Sequence, residues 1–152
     1  MEIRAPRERV YAELAEPRRQ LGLQPLLVEV RELPPAAGAP GARCFEAVER
    51  IALFGPLAVR NRIRVEIAPV APPAGLDFHA TSRGGVEVWS EFRLEALPGG
   101  ATEVREDVRV RTPGWLRPLV GRQALRAQRR LLDNLKRRLE AGEPAGKNRA
   151  RP

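Results

Sequence analysis

Three polar residues stand where the pattern of the chain asks for apolar ones, and the chemistry open to this protein starts with them. They are Asn61, Ser90 and Glu106. Each lies in a strand-like run whose alternate positions are otherwise apolar. In the first run one face carries Leu57, Val59, Asn61, Ile63, Val65 and Ile67. In the second it carries Val86, Val88, Ser90, Phe92, Leu94 and Ala96, and in the third Thr102, Val104, Glu106, Val108 and Val110. An unpaired polar group on a buried face costs about 1–3 kcal/mol, so each asks for a partner or a purpose. Glu106 is the sharpest case, because burial raises a carboxyl's pKa and suits it to general acid or base work. Asn61 or Ser90 could orient a carbonyl beside it. The plainer reading of all three is a place at the open end of a sheet, reached by water or bonded to a neighbour. Glu49 and Arg50 sit in a run of less regular alternation, which leaves their faces undecided.

Other chemistries find little support. His79 is the single histidine, which excludes a His-rich metal site. If Leu76, Phe78 and Ala80 face inward, His79 faces outward beside Asp77. Cys44 is the single cysteine, which excludes an internal disulfide and a multi-cysteine zinc site. Nucleophile elbows, P-loops and dinucleotide-binding glycine motifs are absent, and Gly84-Gly85 reads as a turn. No metal or cofactor is expected. Trp89 falls on a charged face, where it could stack on an arginine or mark a protein contact.

The elements that must position these residues follow from punctuation and period. Glu2–Ala5 reads as the end of a short strand. Pro6 suits a first helical turn, and Arg7–Glu16 reads as a helix stopped by Pro17. Arg18–Leu23 could form a second short helix. Leu26–Leu33, Arg43–Phe54, Leu57–Ile67, Leu76–Thr81, Val86–Leu97 and Thr102–Arg111 are strand-like and separated by Pro- and Gly-rich turns, which makes an antiparallel meander. From Pro113 to Glu140 the period changes. Leu116, Leu119, Val120, Ala124, Ala127, Leu131, Leu135 and Leu139 recur at spacings of three and four, the mark of one long amphipathic helix. The sheet has one apolar and one charged face, so this helix is expected to cover the apolar one.

The 152 residues are most simply one domain over residues 1–140, followed by a basic tail, residues 141–152, that is expected to be disordered. The N-terminus carries no apolar signal segment, and no apolar run approaches membrane-spanning length, so a cytoplasmic location is expected. The net charge is +8, unevenly placed. Residues 1–112 hold 16 arginines and 16 acids, whereas residues 113–152 hold 11 cations against 3 acids. Such an excess fits an anionic membrane or an acidic partner, or simply a solvated helix face. Beyond Trp115 the helix lacks interleaved aromatics, and no DNA-reading motif occurs, so nucleic acid is not expected as a partner.

The order of a short strand, a helix pair, a six-stranded meander and a long C-terminal helix resembles the START-like, or SRPBCC, superfamily, in particular its polyketide cyclase/dehydrase branch. Ala5-Pro6-Arg7-Glu8-Arg9-Val10-Tyr11 resembles the family's opening. Val88-Trp89-Ser90-Glu91-Phe92-Arg93-Leu94, the Pro98-Gly99-Gly100 turn and Thr102-Glu103-Val104 resemble its late hairpin, and Leu131, Leu135 and Leu139 its closing helix. The short first strand departs from the family pattern and could leave an edge for a second copy, so either a monomer or a homodimer is expected. The resemblance implies an α+β helix-grip fold, a curved antiparallel sheet of six to seven strands around the C-terminal helix, with two short helices after the first strand. It also implies a cavity between sheet and helix. Asn61, Ser90, Phe92 and Glu106 from the sheet, with Leu116, Leu119 and Val120 from the start of the helix, are expected to line it. The function this implies is binding of a small apolar ligand, a lipid, polyketide or quinone-like molecule. The alternatives are a cyclase or dehydrase with Glu106 as acid or base, and an interaction protein that uses the basic helix face on an anionic membrane or partner.

Overall fold

The computed structural model describes residues 1–34, 41–54, 57–114 and 117–141, and excludes the side chains of residues 51–59 and 117–124. Seven strands form one antiparallel sheet: β1 (Glu2–Ile3), β2 (Leu27–Leu33), β3 (Arg43–Phe54), β4 (Leu57–Val70), β5 (Gly75–Ser82), β6 (Glu87–Ala96) and β7 (Thr102–Arg111). Their order is β1-β7-β6-β5-β4-β3-β2, so from β2 to β7 each strand lies beside its neighbour in sequence. Short β1 pairs with β7 through Glu2–Glu103 and Ile3–Thr102. The helix α1 spans Arg7–Ala15, and a single 3₁₀ turn, Pro17–Gln20, takes the place expected of a second helix. The long helix α2 spans Arg117–Glu140. The expected helix start at Pro113 includes residues 115 and 116, which lie outside the described residues.

Local chemistry sets these boundaries. Pro6 precedes the first turn of α1, where a missing N–H costs nothing, and Glu8 sits in that turn against the positive end of the helix dipole. Pro17 then forces Glu16 into the extended region and ends the helix. The β6–β7 turn needs two residues with positive φ, and Gly99 and Gly100 supply them at 82° and 80°. Gly75 meets a different demand. A Cβ there would lie 2.9 Å from the main-chain oxygen of Phe92, so only glycine lets β5 start this close to β6.

The meander's alternation puts one set of side chains toward α2, here termed the inner face. Phe45, Ala47, Val65, Ile67, Leu76, Phe92, Leu94 and Val104 meet Leu131, Leu135 and Leu139 of α2 and Val10 and Leu14 of α1 in one core. Polar contacts hold the C-terminal half of α2 in place. Arg138 Nη1 donates to the main-chain oxygen of Arg19 at 2.6 Å and to Glu13 at 3.2 Å, and Nη2 donates to the oxygen of Leu21 at 2.8 Å. Asn134 donates to the oxygen of Leu23, and Lys136 to that of Glu2. The outer face carries cross-strand ion pairs, among them Arg93–Asp77 and Arg109–Glu91. Trp89 also lies on this face. It stacks on His79 and not on an arginine, with ring centroids 5.1 Å apart, because the register sets the two residues directly opposite each other.

Candidate functional site

The inner face changes character along its length. At the end nearest α1 its residues are sealed: Leu76 and Phe92 are each 1% exposed, and Leu94 4%. Two residues further along each strand the seal ends. Phe78, Ala80, Val88, Val108 and Val110 are all only half-buried, and so is Ile63. Strand pairing sets the first five in two adjacent rows, Ile67–Phe78–Ser90–Val108 and Val65–Ala80–Val88–Val110, with Ile63 opposite Ser82 in the row beyond. An apolar sheet surface that faces inward yet keeps solvent access is the kind of wall a hydrophobic ligand uses.

Glu106 stands where the sealed and half-open parts meet. Strand β7 places it opposite Phe92 of β6, on the inner face. Gln128 approaches from α2 and donates to the main-chain oxygen of Glu106 at 3.3 Å. Ser90, one row along on β6, is its polar neighbour from the sheet. The Oε2 atom of Glu106 is buried and has no hydrogen-bond partner among the described residues. Burial pushes its carboxyl pKa up to about 7, against a smaller opposing pull from Ser90 and Gln128, whose hydrogen bonds favour the charged form. The acid is therefore close to half-protonated at neutral pH, the condition under which one group can both give and take a proton.

Register decides which candidates meet. Ser90 and Glu106 come together, and Gln128 joins them; nothing in its own segment marked Gln128, which is one polar residue on a helix rich in them. Phe92 lies beneath this group, fully buried and packed edge-on against Phe78 at 5.2 Å. Asn61 is on the inner face as expected but belongs elsewhere. The row of Glu106 reaches β4 at Pro69, eight residues from Asn61. At about 3.3 Å per residue that is about 26 Å along the strand. Asn61 instead faces Glu49 across the β3–β4 pair. The register settles the ambiguous strand: Glu49 is inward and half-buried, and Arg50 is outward and exposed. Burial raises the Glu49 pKa, and a hydrogen bond from Asn61 partly offsets this. Leu116 lies outside the described residues, as do the side chains of Leu119 and Val120.

The sheet carries a different feature, a depression of about 370 Å³ lined mainly by the outer-face residues Glu66, Ala68, Asp77, His79, Trp89, Glu91 and Arg109, with Phe78 and Val110 also touching it. Of its charged walls, Arg109 pairs with Glu91, and Asp77 with the neighbouring Arg93, which suits a solvated surface. Among the described residues, no group of three or more His, Cys, Asp or Glu could hold a metal ion. No helix there is long and apolar enough to cross a membrane.

Comparison with known proteins places this architecture. Solved structures of similar fold include a protein from Thermus thermophilus, at 18% identity and a TM-score of 0.70, covering 95% of this chain and 96% of that one. A START superfamily protein from Mycobacterium smegmatis matches at 16% identity and a TM-score of 0.70, over 94% and 95% of the two chains. The di-domain ARO/CYC StfQ from the steffimycin biosynthetic pathway matches at 16% identity and a TM-score of 0.71, over 93% of this chain and 44% of that one. At these identities the likeness is one of fold, the helix-grip arrangement of sheet and C-terminal helix. No curated protein matches the sequence. The family model described as polyketide cyclase / dehydrase and lipid transport matches residues 1–140. The chain therefore belongs to the polyketide cyclase / dehydrase and lipid transport family.

Proposed function

We propose that the protein binds a small apolar ligand against the half-open part of the inner face, with the ligand's polar end at Glu106 and Ser90. The observation that carries this is the Glu106 carboxyl, set in an apolar wall with a buried oxygen that lacks a partner among the described residues. An isolated buried acceptor of this kind is costly, and a ligand hydroxyl would remove the cost. The half-buried Phe78, Ala80, Val88, Val108 and Val110 supply the apolar surface. Native mass spectrometry of freshly purified protein is expected to show a bound small molecule, and Nile red is expected to gain fluorescence on binding. Ala80→Trp, which fills the space over the wall, is expected to abolish the dye signal while circular dichroism stays native. Equal dye binding by that variant would sink the proposal.

A second reading has its own support in the pKa of Glu106, about 7. A cyclase or dehydrase needs one group that takes a proton from the carbon beside a carbonyl and returns one to the departing hydroxyl, which leaves as water. In this reading Glu106 does both, and Ser90 orients the carbonyl. Asn61 is too far along β4 to share that task. Turnover of a β-hydroxyketone to the enone, followed by absorbance, is expected to vanish in Glu106→Gln while Nile red binding persists. Unchanged turnover in that variant would remove Glu106 from the reaction.

A further inference from the structure

The charges of this protein are sorted by surface. Every described cation of β4, β6 and β7 lies on the outer face: Arg60, Arg62, Arg64, Arg93, Arg105, Arg109 and Arg111. Arg126, Arg129, Arg130 and Arg137 of α2 are exposed to solvent. On the inner face Arg43 sits at the sealed end, where Glu16 and Glu32 hold it. The half-open part has the opposite composition. The described polar groups of its strands and of α2 are Glu106, Ser90 and Gln128 at one end and Ser82, Glu49 and Asn61 at the other. That makes two carboxyls and four neutral groups, with no cation among the described side chains. Among the described side chains of a chain of net charge +8, positive charge is thus kept away from this wall.

We infer that the inner face selects neutral apolar ligands, carrying a hydroxyl or carbonyl at the polar end, and disfavours those ending in a carboxylate or phosphate. This rests on the ligand-binding reading above and narrows its substrate class. An anionic head placed beside Glu106 meets a carboxyl in a poorly hydrated setting, with no arginine or lysine among the described side chains to offset the repulsion. A ligand hydroxyl can donate to the buried Oε2, and a ligand carbonyl can accept from the protonated acid, so either neutral head satisfies the site.

The test is competition against Nile red by decanol and by decanoate, at about pH 8, where decanoate is ionised. Decanol partitions from water more readily by itself, so the diagnostic is how Glu106→Gln changes the ratio of the two affinities. The expected result is that decanol displaces the dye from the native protein, and that Glu106→Gln raises decanoate affinity about tenfold or more relative to decanol. Glu95→Gln, an exposed carboxylate on the outer face of β6, is expected to leave the ratio unchanged. Circular dichroism confirms that each variant is folded. Decanoate binding the native protein as tightly as decanol overturns the inference and leaves the ligand-binding reading standing. An unchanged ratio in Glu106→Gln does the same. Arg117 opens α2 eleven residues before Gln128, about 16 Å along the axis. Tight decanoate binding that is lost in Arg117→Gln would place anions at that end, which also overturns the inference. If neither compound nor the dye binds, the ligand-binding reading itself falls.

Discussion

Glu106 ties stability to pH in a direction unusual for a carboxylate. Its pKa rises on folding from the ordinary 4.5 to about 7. Between those values the folded protein holds a proton that the unfolded chain has released, so stability falls as pH rises through this window and levels off above it. The shift corresponds to about 3 kcal/mol at most. Glu106→Gln removes the dependence. Urea midpoints are expected to coincide for the variant and the native protein near pH 5, and to favour the variant near pH 8. The same difference between native protein and variant at both pH values would mean that the carboxyl is well solvated. The Glu49–Asn61 pair makes a prediction of its own. Asn61 holds the Glu49 pKa below the level that burial alone would set. Asn61→Leu is therefore expected to raise it further, as read by NMR titration of the Glu49 side chain. The sequence placed Asn61, Ser90 and Glu106 on one face by parity alone. Parity cannot report position along a strand, and so it could not separate Asn61 from the other two.

At the level of elements, the weight of the fold rests on the C-terminal half of α2. Leu135 is fully buried at the centre of the core, and Leu135→Ala is expected to cost about 2–5 kcal/mol. Arg138 joins that helix to α1 and the 3₁₀ turn through three hydrogen bonds, beside a Glu13 side chain that is 8% exposed. Arg138→Ala strands two main-chain oxygens and, among the described residues, leaves Glu13 only Arg19 as an ion-pair partner. A loss of about 2–4 kcal/mol is expected, measured by urea unfolding. Arg138→Lys is expected to recover only part of it, because one ammonium cannot reproduce the divergent donors of a guanidinium. The leucine spacing made α2 readable. The anchor was not, because its partners lie more than a hundred residues away in sequence.

Across the whole molecule, what could be read in advance was whatever depends on local period. The clean alternation of β4, β6 and β7 revealed the sheet and its two faces. Strand β3 resisted, because Cys44 and Val48 on its outer side are buried as well as Phe45 and Ala47 on its inner side. With both sides apolar, alternation carries no signal, and only pairing with β4 assigns Glu49. The same limit hid the stacking of Trp89 on His79, which depends on register between strands. The unequal lengths of the strands have a further consequence. Strand β5 ends at Ser82, opposite Ile63, so among the described residues β4 from Leu57 to Arg62 is bonded to β3 alone. Amide protons on the free side of that overhang are expected to exchange with deuterium much faster than those from Ile63 to Val70. Those shared with β3 should exchange together, as one opening unit. The Glu49–Asn61 bond lies inside that unit, so its rupture and the unit's exchange rate should rise together.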